Sequence, residues 1–304
     1  MNVVFEPSLL FISETNWQEE ERRDNFLDNL ETHLNIIDKY DISEILWTEE
    51  LESLLWETPQ LNPWKQEYWS FMPIITNIFK KLNSRKNYSF VCAESPCLAN
   101  PSFKQVITEH QAHELFLKLV HTLNVFQINF YLCVGIENRL SKLAYPNEYN
   151  FYCNCHNIAL KPILINKASD FLHYIDIESF FPKTIVEFDE KFEKGLELIK
   201  NRDFADKNYL VPFEFSQNFK RSIIDRKTFK EEIFIAIVKR LILTSQELAN
   251  SNLNNEFITK NSLNEWRIRV TQRPSSTRIH YIITIDNKIK FLQYYGEGEH
   301  DDAL

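Results

Sequence analysis

Trp266-Arg-Ile-Arg-Val-Thr271, Arg278-Ile-His-Tyr-Ile-Ile283 and Lys288-Ile-Lys-Phe-Leu-Gln-Tyr-Tyr295 are three short runs rich in β-branched and aromatic residues. Apolar and polar positions alternate along much of each run, and a period of two sends successive side chains to opposite faces of a strand. Pro274–Ser276 suits the first connection, and Asp286–Asn287 suits a two-residue turn for the second. The three runs therefore predict an antiparallel meander. Trp266, Ile268, Val270, Ile279 and Tyr281 fall on its core face, while Arg267 and Arg269 share the other. Arg278 and His280 share a face of the next strand in the same way. If the register brings those faces together, three guanidiniums and an imidazole line one surface. Guanidinium forks match phosphate oxygens, and an imidazole moves protons near neutral pH. Arg269, Arg278 and His280 are thus candidate catalytic groups, with Arg267, Arg273, Lys288 and Lys290 as candidate nucleic-acid contacts. The competing reading is that strand faces carry Arg and Lys to stay soluble and to blunt sheet edges.

Working outward, two helical runs precede the meander, Phe219–Thr228 and Lys230–Leu248. Helix, helix and three strands make a compact module over residues 211–304. Residues 1–210 read differently. Val3–Ile12 is an apolar strand, and Glu19–Tyr40 carries Phe26, Leu27, Leu30, Leu34 and Ile37 at helical spacing. Trp47–Trp56, Phe71–Leu82 and Gln111–Leu123 read as further helices, Tyr88–Cys92 and Phe126–Gly135 as further strands. Alternating strands and helices predict a helix-covered sheet. The expected class is α/β or α+β, with a boundary near residue 210 in the polar, aperiodic stretch Asn201–Pro212, which reads as a linker.

Preceded by paired helices, the motifs Trp266-Arg-Ile-Arg-Val, Ser276-Thr-Arg-Ile-His-Tyr and Ile289-Lys-Phe-Leu-Gln-Tyr-Tyr resemble the RelE/ParE superfamily of small toxins. The resemblance runs from about residue 220 to the C-terminus. It implies that Arg269 and Arg278 handle phosphate, and that an acid–base group lies between Tyr295 and His300. RelE-like members cut messenger RNA, and ParE-like members act on DNA gyrase. The chain departs from the cutting pattern at Asp301 and Asp302, where basic residues and a late tyrosine are usual. Roles in toxin–antitoxin systems or antiviral defence follow from this resemblance alone.

Charge divides the molecule. Residues 1–70 hold 16 Asp/Glu against 4 Lys/Arg, whereas residues 211–296 hold 14 Lys/Arg against 8 Asp/Glu. The basic C-terminal part suits a polyanion, RNA before DNA, and the acidic, Trp-rich N-terminal part suits a protein partner. Only four glycines occur, at 135, 195, 296 and 298, so neither a GxGxxG nor a P-loop cradle can be written. No run of 18 apolar residues is present, which removes a membrane helix from the expectation. Five cysteines, an odd number in a long chain, point to a reducing, cytoplasmic setting.

Three metal constellations compete with a metal-free reading, in which no cofactor is firmly implied. Cys92, Cys97, Cys153 and Cys155 offer four thiolates for zinc, although their spacings are irregular. Glu297, Glu299, His300, Asp301 and Asp302 offer oxygen ligands and an imidazole for a divalent cation, or an acidic tail that folds over the arginine face. Glu6 after the first strand, with Glu94 after a later one, matches the placement of carboxylates in a PIN-like, metal-dependent nuclease. The leading expectation is a nucleic-acid-directed effector with a RelE-like ribonuclease module. The alternatives are a non-catalytic adaptor and the PIN-like nuclease.

Overall fold

The computed structural model describes residues 1–12, 14–42, 44–57, 86–87, 97–100, 110–133, 150–153, 158–160, 162–224, 226–258, 264–272 and 277–299. The chain is mixed α/β and forms two compact units, Met1–Phe171 and Leu172–Leu304. That division falls ahead of the composition-based boundary near 210. No helix among the described residues is long and apolar enough to cross a membrane.

The first unit is built on a parallel sheet. Its strands are β1 (Asn2–Phe5), β2 (Glu44–Trp47), β3 (Lys86–Asn87), β5 (Tyr131–Cys133) and β8 (Ile163–Ile165), in the order β3-β2-β1-β5-β8. Val3, Val4 and Phe5 are buried because β1 has a neighbour on both edges and is covered by other elements, which is why it reads as a continuous apolar run. The strand is shorter than Val3–Ile12. Glu6 and Pro7 end it, and Pro7–Leu9 forms a turn of 3₁₀ helix. Helix α1 (Glu14–Gln18) leads into α2 (Glu20–Lys39), which buries Phe26, Leu27, Leu30, Leu34 and Ile37 on one stripe. Trp47 ends β2 rather than opening a helix. Helix α3 (Glu49–Glu57) begins just after it, where Thr48 Oγ1 accepts from Leu51 N at 3.2 Å. Helix α4 (His110–Val125) precedes β5, and a second, antiparallel sheet joins β4 (Cys97–Asn100), β6 (Asn150–Cys153) and β7 (Ile158–Leu160). The expected elements at Phe71–Leu82 and Tyr88–Cys92 lie outside the described residues.

The second unit is a five-stranded mixed sheet packed by helices. Strands β10 (Glu256–Phe257), β11 (Glu265–Arg269), β12 (Arg278–Ile283) and β13 (Ile289–Tyr295) run antiparallel in sequence, and β9 (Phe213–Phe215) adds parallel to β13. The predicted meander is present and is widened at both edges. Its second hairpin has a three-residue loop, not two. Thr284 and Lys288 close it through Thr284 N to Lys288 O at 2.9 Å, and Asn287 takes a φ of 58°. Helices α5 (Phe188–Asp203), α6 (Gln217–Ile223) and α7 (Lys230–Ile242) bury their apolar stripes. The expected helix Lys230–Leu248 is broken after Ile242. Thr244 and Glu247 form a reciprocal capping box that starts α8 (Ser245–Ala249).

Phenylalanines dominate this core. Phe192 of α5 lies 4.7 Å from both Phe188 and Phe234, and Phe215 of β9 stacks on Phe291 of β13 at 5.5 Å. Gly195 is required by that packing, since a Cβ there would stand 2.4 Å from Phe234 Cζ. Residues 201–212, expected as a linker, lie inside this unit, where Leu210 N donates to Leu241 O at 2.9 Å and Lys207 pairs with Glu247 at 2.7 Å.

Candidate functional site

The β11–β12 register decides whether the cations meet. Arg267 stands opposite His280 and Arg269 opposite Arg278, so all four occupy one face of the sheet. Tyr295 stands opposite Arg278 on β13, and Gln293 stands opposite His280. On the reverse face, Ile268, Ile279, Tyr281 and Tyr294 are buried. A register shift between His280 and Tyr281 adjusts the β12–β13 pairing beside the imidazole.

Glu265 is the residue that organises this face. It lies two positions before Arg267 on β11 and so points the same way. Its Oε1 is 2.6 Å from His280 Nδ1, with Glu265 8% and His280 7% exposed. The Tyr295 ring lies 4.4 Å from the imidazole. Burial pushes the His280 pKa below its usual value. The hydrogen bond and charge of Glu265 pull the other way and are outweighed, while Arg267 and Arg278 push it further down. The imidazole is therefore neutral at neutral pH. With a carboxylate accepting at Nδ1, the proton sits there, and Nε2 keeps its lone pair. Nε2 is covered and has no hydrogen-bond partner. Burial, then the charge of Glu265, raises the Tyr295 pKa, which keeps its phenol protonated.

The cations differ in how far carboxylates already engage them. Glu256 of β10 takes Arg267 Nη2 at 2.7 Å and Nε at 2.8 Å, and Glu214 of β9 takes Lys290 at 2.9 Å and Lys288 at 3.6 Å. Lys288 and Lys290 are thus tied at the β9 side of the sheet. Arg269 Nε, by contrast, is buried without a hydrogen-bond acceptor. Arg278 lies opposite it. Arg273 and His300 lie outside the described residues.

Within the acidic tail Glu299 is engaged by a different arginine, and Asp301 and Asp302 lie outside the described residues. Glu299 accepts from Arg226 Nη1 at 2.8 Å and Nη2 at 2.9 Å, and from Gly296 N at 2.8 Å. Arg226 holds the Glu299 carboxyl below its ordinary value. Of the four cysteine candidates, Cys97 and Cys153 are register partners across β4 and β6, while Cys92 and Cys155 lie outside the described residues. Among the described residues no group of three or more His, Cys, Asp and Glu is placed to hold a metal. Glu6 is fully buried at the carboxyl end of β1, and its N–H donates to Cys133 O at 2.9 Å. Glu94 lies outside the described residues.

Glu265 was detectable in sequence by alternation, two before Arg267, but a strand begun at Trp266 leaves it out. Its pairing with His280 needed the register, which no local pattern supplies. No family model, no curated protein and no solved structure matches this chain.

Proposed function

We propose that the second unit is a nucleic-acid-directed effector that cleaves RNA without metal, with Glu265, His280, Arg269, Arg278 and Tyr295 as its working groups. The observation that carries the reading is the imidazole held at Nδ1 by a buried carboxylate, on the sheet face that also bears three arginines. His280 Nε2 takes the proton of a ribose 2′-hydroxyl, and the 2′-oxygen attacks the adjacent phosphorus. Arg269 and Arg278 hold the equatorial oxygens as negative charge builds. The bond from phosphorus to the 5′-oxygen breaks, and the Tyr295 phenol protonates that leaving oxygen. The products are a 2′,3′-cyclic phosphate and a free 5′-hydroxyl. Glu265 positions the imidazole and fixes its tautomer. Because Nε2 is covered, this reading requires substrate binding to open the face beside Tyr295. The likeness to RelE-type toxins supports the same assignment.

The test is cleavage of a single-stranded RNA by the full chain in excess EDTA. Wild type should cut it and leave cyclic phosphate ends. His280→Ala should be slower by a factor on the order of 10²–10⁴, the usual worth of a general base. Intact RNA with wild type, or equal cutting by His280→Ala, removes the catalytic reading and leaves an adaptor that holds a polyanion or a protein partner.

One observation favours a second reading, a PIN-like nuclease in the first unit. The connection from the β3-β2-β1 side to the β5-β8 side reverses at β1, and ligands of parallel sheets bind outside the carboxyl ends of the strands at such a point. Glu6 stands there. This reading makes cutting dependent on Mg²⁺ or Mn²⁺ and abolished by Glu6→Gln, and EDTA-resistant cutting contradicts it.

A further inference from the structure

The helix-covered face of the second unit's sheet bears a half-open cavity that phosphate handling does not use. It lies between α7, α8 and β11–β12, and its volume is about 350 Å³. That is near the lower end of the roughly 300–1,000 Å³ of ligand sites, room for one ring system and a substituent. Leu243, Leu248 and Ala249 wall the helix side, and Trp266 walls the sheet side. Among the described residues Arg240 is the only charged one in the lining.

The guanidinium of Arg240 is already held in place. Its central carbon lies 4.6 Å from the Tyr281 ring centroid, and the Tyr281 hydroxyl donates to Asn255 Oδ1 at 2.7 Å. Ring and hydroxyl are both committed, so the cation is fixed against the aromatic face. Arg240 Nε is nevertheless buried with no hydrogen-bond partner. That nitrogen is covered, so the cavity meets the guanidinium elsewhere, and a guanidinium in a mostly apolar lining calls for an anion. A fixed cation set among aliphatic walls and an indole, with Ser245 and Asn255 beside them, selects a ligand with one negative group and a flat apolar body.

We propose that this cavity binds a small planar carboxylate, a single aromatic or heteroaromatic ring system bearing one acid group. The carboxylate accepts from Arg240, and the ring lies against Trp266. A single cation among the described lining residues and a small volume select against polyphosphates and nucleic acid. Trp266 and Tyr281 alternate with Arg267 and His280, so this site is on the reverse of the sheet from the arginine face. The proposal therefore stands or falls independently of RNA cleavage.

Calorimetric titration of the full chain with indole-3-carboxylate, and separately with uncharged indole, tests it. The acid should saturate one site and bind at least tenfold more tightly than indole, a difference of about 1.4 kcal/mol. Arg240→Met should remove that preference, with the equally uncharged Arg240→Gln as the substitute if the methionine variant fails to fold. Ala249→Leu, which fills the cavity, should abolish binding while the thermal unfolding transition persists. No saturable binding at millimolar acid, equal affinity for acid and indole, or unchanged binding by Ala249→Leu overturns the proposal.

Discussion

At His280, burial and a carboxylate act in opposite directions, and burial prevails. The folded pKa is thus below the unfolded value of about 6.5. As pH falls through that value, the unfolded chain takes up a proton that the folded imidazole refuses, so stability drops and levels off below the folded pKa. The groups facing the ring are Glu265, Arg267, Arg278 and Tyr295. Wild type should lose stability between pH 7.5 and 5 more steeply than His280→Gln, measured by urea unfolding at each pH. Parallel curves for the two proteins contradict the depressed pKa. Glu265→Gln keeps the geometry and removes the charge. It should shift the acidic limb of the RNA-cleavage profile to lower pH and lower the rate, whereas a merely structural carboxylate would leave the pH profile in place. Arg267, Arg269, Arg278 and His280 were legible in the sequence as same-face pairs within each strand. Their pairing across strands was not, because register is set by tertiary packing and turn length.

Single elements fold where the pattern is strong, and miss where one residue overrides it. The meander and α2 follow their periodicity almost residue for residue. The run from Lys230 to Leu248 looks like one helix, yet Thr244 caps a new one with Glu247, whose carboxyl is lowered to about 2 chiefly by its hydrogen bond with Lys207 and those with Thr244. Thr244→Ala should cost about 1 kcal/mol in chemical unfolding, the usual worth of a lost N-cap. A similar break was missed at Trp47, because the four-residue β2 merges with the apolar stripe of α3. Gly195→Ala places a methyl group against the buried ring of Phe234 and should destabilise by roughly 1–3 kcal/mol. Helix propensity alone predicts the opposite sign, so the measurement separates packing from propensity.

For the whole molecule, composition suggested a division near residue 210, whereas the contacts divide the chain at Phe171 and Leu172. The physical reason is aromatic. Phe188 and Phe192 of α5 supply part of the core that Phe215, Phe219 and Phe234 complete. Polar residues between 201 and 212 hide this from a composition scan. A fragment of residues 172–304 should unfold in a single cooperative thermal transition, and a fragment of residues 211–304 should not. Cooperative folding of the shorter fragment would return the boundary to the sequence-based position.

The claim on which the functional account rests is that a neutral His280, fixed by Glu265, lies on the surface that receives RNA. Nitrogen-15 NMR of the histidine rings in the full chain reports both parts of it. The account predicts a His280 signal with its proton on Nδ1 and an apparent pKa below 6.5. It also predicts a shift of that signal when a 2′-O-methyl RNA, which cannot be cleaved, is added. A pKa at or above 6.5, a proton on Nε2, or a signal indifferent to saturating RNA would contradict it.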